Sequence, residues 1–91
     1  MLELQWDDIA QDDLITIAVY IALDNPTAAM ALKEEIETKV AMLKKQPRIG
    51  KPGRVVGTRE LVVRERYIVV YQEDEQMVNV LRVLHTARSW P

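Results

Sequence analysis

The chain has 91 residues, 48% hydrophobic and 29% charged, with a formal net charge of −2. It contains no cysteine and one histidine, which excludes disulfides, thiolate nucleophiles, zinc–thiolate sites and histidine-rich metal sites. A chain this short makes one small domain, expected to span residues 1–91, and buries only about 60% of the surface its unfolded form exposes. The first residues carry neither a basic leader nor an apolar run of signal-peptide length. The longest mainly apolar stretch, Leu14 to Leu23, is far too short to span a bilayer. A cytoplasmic protein with no membrane partner is therefore expected.

The small net charge hides an asymmetry. Residues 1–43 carry nine acids against two bases, and residues 44–91 carry ten bases against five acids. Opposed halves suggest a polarised surface that meets an anionic ligand on one side; solvated faces alone also produce such a split.

In chain order, Leu2, Leu4 and Trp6 alternate with Glu3 and Gln5, the period of a half-buried strand. Asp7 and Asp8 supply N-cap chemistry, and Asp12 and Asp13 add negative charge where a helix dipole favours it. The first helix is expected to reach about Asp24. Ala10, Leu14, Ile17, Ala18 and Ile21 form its apolar stripe, broadened by Ile15, Val19 and Ala22, so this helix should be well buried. Asn25-Pro26 caps and restarts a second helix. Ala29, Leu32, Ile36, Val40 and Leu43 recur along it at spacings of three and four. With almost no loop between them, the two helices should form an antiparallel hairpin.

Pro47 ends the second helix. Lys44 to Gly57, KKQPRIGKPGRVVG, holds all three glycines and five bases and is the only long loop. It is no phosphate-binding loop, since it lacks the Lys-Ser/Thr signature and a following helix. Thr58–Val63, Tyr67–Gln72 and Met77–Leu84 read as strands joined by tight charged turns. The order β-α-α-β-β-β predicts an α+β fold with a helical hairpin packed on a twisted antiparallel sheet.

This order and a set of motifs resemble the RelE/ParE superfamily of type II toxin–antitoxin toxins over essentially the whole chain. The likeness rests on Trp6, the helix with Ile17 to Ile21, Gly57-Thr58-Arg59-Glu60-Leu61, Tyr67-Ile68-Val69-Val70-Tyr71 and the ending Val80-Leu81-Arg82-Val83-Leu84-His85-Thr86-Ala87-Arg88. The resemblance implies two alternative activities. RelE-like members cut mRNA in the ribosome; ParE-like members poison DNA gyrase and lack the ribonuclease residues. Either kind is held by a cognate antitoxin, and operator DNA is met only indirectly, through that antitoxin. No cofactor is implied.

For RNA cleavage, charge stabilisation and proton transfer would fall to Arg59, Arg82, His85 and Arg88. RelE-like enzymes use loop and strand lysines and a C-terminal tyrosine. Here Lys51 and Arg54 stand in loosely for the lysines, and no tyrosine follows Tyr71. Strict alternation sends Arg82 and His85 to opposite faces of the last strand. The plain reading of Arg82 is an ion pair, with Glu60 as a candidate partner, and that of His85 a strand-end residue bonded to backbone. The His-Thr-Ala-Arg ending looks more like the ParE and StbE branch, which favours a gyrase poison, with the ribonuclease and a degenerate antitoxin-binding module as alternatives. In each, Lys44, Lys45, Arg48, Lys51, Arg54, Arg64 and Arg66, with Arg59 and the C-terminal rim, are expected to form one cationic target-binding face.

Overall fold

The computed structural model describes residues 1–87. The elements are β1 (Glu3–Trp6), α1 (Asp8–Ala22), α2 (Pro26–Met42), β2 (Lys51–Pro52), β3 (Arg59–Val63), β4 (Tyr67–Glu73) and β5 (Met77–His85). They form the expected α+β arrangement, a helical hairpin on one face of a sheet ordered β1-β5-β4-β3-β2. Among the described residues, no helix is long and apolar enough to cross a membrane.

Two features of the sheet go beyond the expected meander. A two-residue β2, inside the basic loop, pairs antiparallel with Glu60 and Arg59 of β3. At the other edge β1 joins β5 in parallel, Glu3 opposite Met77 and Trp6 opposite Val80, so the sheet is mixed. Alternation in β1 marks which side chains turn inward but carries no information on the partner strand.

The helix starts differ in how they are held. Asn25 is an extended N-cap whose Oδ1 accepts the Ala28 N–H at 3.0 Å, with Pro26 at the first helical position. Asp7 is also extended, but its side chain makes no capping bond. Its backbone N–H instead donates to Val80 O at 2.9 Å, so the sheet sets where α1 begins.

The main core joins Leu14, Leu32, Ile36, Val40 and Leu43 of the hairpin side to Val63, Val69, Tyr71, Val78, Val80 and Val83 of the sheet. Burial of α1 is narrower than its composition predicts. Only Ala10 and Leu14 are fully buried, whereas Ile15 and Val19 are 54% and 56% exposed. A single layer of sheet and one neighbouring helix cover only part of its circumference, so the residues that broaden its stripe have nothing to pack against.

A β-bulge in β5 resets the last strand. Val70 pairs with Arg82 and Tyr71 with Val80, which leaves Leu81 as the extra residue. Strict alternation would put Val80 and Val83 on opposite faces, yet both sit in the helix-side core. Leu81 and Leu84 join Ile68 and Val70 in a smaller cluster on the other face.

Candidate functional site

The strand register separates the basic residues expected to act together. Arg59 opens β3 opposite Tyr71, while Val63 closes it opposite Tyr67, which in turn pairs with His85. Arg59 and the loop therefore sit at one end of the sheet, and Arg64, Arg66 and His85 at the other.

At the loop end the backbone is pinned from inside. Tyr71 is fully buried, and its hydroxyl donates to Pro47 O at 2.7 Å while accepting the Gly50 N–H at 2.9 Å. Burial pushes the phenol pKa above its usual value of 10.0, opposed by the Gly50 N–H and the nearby Arg59 charge. Gly50 is required here because a Cβ would lie 2.6 Å from that hydroxyl. Arg59 donates from Nη1 to Gly50 O at 2.8 Å, and its Nε is 3.4 Å from Glu73 Oε1. Glu60, only 2% exposed, accepts the Arg54 N–H at 2.9 Å and lies 3.8 Å from the Arg54 guanidinium.

The surface at this end is not purely cationic. Lys44, Lys45 and Arg48 line an open depression of about 870 Å³ together with Glu73, Asp74 and Glu75. Arg48 Nε is 3.9 Å from Glu73 Oε1. Lys51 is exposed on β2. Asp74 accepts the Gln76 and Met77 N–H groups at 2.7 and 2.9 Å, and these bonds hold its carboxyl below the usual range.

Arg82 pairs with Asp13 of α1, not with Glu60. Glu60 and Arg82 flank Val70 on opposite sides, two strand spacings or about 10 Å apart, and Glu60 is taken by Arg54. Arg82 donates to Asp13 from Nε at 2.8 Å and from Nη2 at 3.1 Å, and these bonds raise its pKa further. The same carboxylate accepts the Val83 N–H at 3.0 Å. Asp13 thus caps the stretch of β5 that β1 is too short to cover.

At the opposite end, α1, α2 and the ends of β4 and β5 enclose a groove of about 660 Å³. Ile17, Ile21, Leu32 and Tyr67 supply its apolar surface, and Arg64, Arg66 and His85 its rim. The Tyr67 and His85 rings meet edge to face at 5.5 Å. His85 Nδ1 accepts the Ala87 N–H at 3.1 Å, which places the proton of the neutral ring on Nε2. Arg64 is 2.8 Å from Glu35 of α2.

Of the residues named for RNA chemistry, Arg59 lies at the loop end, Arg82 is bound to Asp13, and His85 stands at the groove. Arg88 lies outside the described residues. Acid–base and charge-stabilising groups have to converge within about 3 Å of one reacting phosphate; Arg59, Arg82 and His85 do not. Sequence reading missed the Tyr71–Gly50 pin and the groove. The one signal for the groove was α1 itself, too apolar for the single face it buries.

Comparison with known proteins places this architecture. Residues 4–90 match the family described as "ParE toxin of type II toxin-antitoxin system, parDE". Toxin Y4kP of Sinorhizobium fredii is 37% identical over 97% of this chain and 92% of its own length. Toxin RelE2 of Caulobacter vibrioides is 31% identical over 97% of this chain and 99% of its own. A solved chain of the chromosomal ParDE TA system from P. aeruginosa superposes with a TM-score of 0.81 at 25% identity, covering 93% of this chain and 96% of that one. With fold, motifs and full-length relatives in agreement, the chain belongs to the ParE toxin family, within the RelE/ParE superfamily of type II toxin–antitoxin toxins.

Proposed function

We propose that this chain is the toxin half of a two-protein module, held by a cognate antitoxin, and that the free toxin arrests growth by binding and poisoning DNA gyrase. The observation that carries this reading is the dispersal of Arg59, Arg82 and His85. Arg82 is committed to a structural ion pair, and Arg59 is bonded to Gly50 and Glu73 a sheet-length from His85. His85 stands at the groove, where its Nδ1 accepts the Ala87 N–H. A toxin that acts by occupying a surface needs none of this chemistry. The ParDE neighbour supports both the antitoxin partner and the ParE-like branch.

A second reading, RNA cleavage on the ribosome, draws on the 31% identity to a toxin named RelE2. Purified toxin assayed in parallel for gyrase supercoiling and for cutting of ribosome-bound mRNA separates the two. Inhibited supercoiling with intact mRNA is the expected result. Cut mRNA with unaffected gyrase overturns the proposal, and inactivity in both assays assigns the chain to a degenerate, antitoxin-binding role.

A further inference from the structure

We infer that the tip of the basic loop, residues 53–58, engages the protein target, with Val56 as an apolar anchor that enters a carboxylate-rimmed pocket on gyrase. This rests on the gyrase reading above and adds to it the docking element and the chemistry of the surface it meets.

Three observations converge. First, the loop is fixed at its base and again at its tip. Tyr71 and Arg59 hold Gly50, and the buried Glu60 carboxylate accepts the Arg54 N–H at 2.9 Å. The Gly53 N–H donates to Thr58 O at 2.8 Å, while Val55 O accepts the Thr58 N–H at 3.1 Å and the Thr58 hydroxyl at 2.6 Å. A Cβ on Gly53 would collide with that hydroxyl, so the turn closes tightly. Second, the residue this turn displays is apolar. Val56 is 98% exposed, and at its neighbour Gly57 a Cβ would meet nothing within 4 Å. Third, the flanks are cationic. Lys51 is exposed and makes no ion pair among the described residues. The Arg54 side chain is 47% exposed and stands 3.8 Å from Glu60.

A single exposed valine is ordinary on a protein surface; a firmly bonded turn that displays one is less so. Ordering a backbone costs about 1–2 kcal/mol per residue, yet Val56 adds nothing to the core in return. That ordering lowers the cost of a later association, because the loop need not be fixed again on binding. A protein pocket with an apolar floor and carboxylates at its edge would take the valine and both bases together. A phosphate backbone would pair with the bases and leave the valine in water.

The test uses the full chain and intact host gyrase, with affinity read by calorimetry and poisoning by inhibition of supercoiling. Val56→Asp is expected to raise Kd and the inhibitory concentration about tenfold or more with an unchanged urea midpoint. Met30→Gln, which removes an apolar side chain 59% exposed on α2, is expected to leave both within about twofold. Tyr71 is a positioning residue. Tyr71→Phe leaves the outer surface of the loop intact and is expected to weaken gyrase binding about threefold or more, through a less favourable binding entropy. Wild-type gyrase affinity in Val56→Asp or in Tyr71→Phe overturns the inference while leaving the gyrase reading intact. A wild-type chain that neither binds nor inhibits gyrase overturns that reading, and the inference with it. Binding that is lost on charge reversal at Lys51 and Arg54 and falls steeply with salt, with Val56→Asp at full affinity, assigns the loop to nucleic acid and also overturns the inference.

Discussion

Arg82 and Asp13, 69 positions apart in sequence, form a two-pronged ion pair that ties α1 to the uncovered edge of β5. Their side chains are 22% and 11% exposed, so the pair is shielded from solvent more than a surface bridge. Asp13→Ala strands both the guanidinium and the Val83 N–H. We expect a loss of about 2–3 kcal/mol, measured by urea denaturation. Asp13→Ala combined with Arg82→Met should recover part of it, because no charge is then left half-buried; equal destabilisation of single and double variants would contradict this account.

Tyr71→Phe keeps the ring and removes the hydroxyl that serves Pro47 O and Gly50 N–H. The buried Gly50 N–H and the part-buried Pro47 carbonyl lose their partner, at a cost of about 1–3 kcal/mol. Hydrogen exchange at the Gly50 amide should rise by more than at the amides of α2. Uniform acceleration would mean that the bond stabilises the whole fold and does not hold the loop.

The same phenol gives an alkaline signature. Its folded pKa lies above the unfolded value near 10.0, so from that pH upward the folded state keeps a proton that the unfolded state has lost. Stability is then fully present below pH 10.0 and falls as pH rises through the folded pKa. Chemical denaturation at pH 9 to 11.5 should show this decline in the wild type and a shallower one in Tyr71→Phe.

Asp74 acts at the other end of the pH scale. Its folded pKa lies below the usual value of 3.8 because it accepts two backbone N–H groups. Its contribution is present above 3.8 and is lost as pH falls through the lower, folded value. In Asp74→Asn the acid limb of the stability profile should flatten; an unchanged limb would assign acid sensitivity to other carboxylates.

Reversing charge at Lys44, Lys45 and Arg48 should weaken target engagement with only a shallow dependence on salt. Glu73, Asp74 and Glu75 share the depression with these bases, so their summed field is small, unlike that of a nucleic-acid-binding patch. A steep loss of binding between 50 and 200 mM salt would instead point to direct phosphate contacts.

Much of the fold was written in local patterns. The Asn25-Pro26 restart, the spacing of Leu32, Ile36, Val40 and Leu43, and the three apolar runs after Gly57 each depend on neighbours in sequence. The parallel partner of β1, the short β2 and the bulge at Leu81 depend on pairing between distant segments, which no local period encodes. The site suffers most from this. One extra residue in β5, Leu81, brings Val83 and His85 onto the face of Val80, whereas Arg82 and His85, both beyond it, keep the opposite faces that alternation predicts. Likewise, Arg82 goes to Asp13 and not to Glu60, across 69 positions that no local pattern connects. Tyr71 packs in the core, and its hydroxyl works on a loop 21 and 24 positions away.

The parallel pairing of β1 with β5 has a consequence for synthesis. Glu3 meets Met77, so the first strand made waits for the last before it has a neighbour, and closing so long a loop carries an entropic cost that only late contacts offset. A nascent chain halted before Met77 leaves Leu2, Leu4 and Trp6 without their wall of valines. The sheet therefore gains its β1 edge only once β5 has been made.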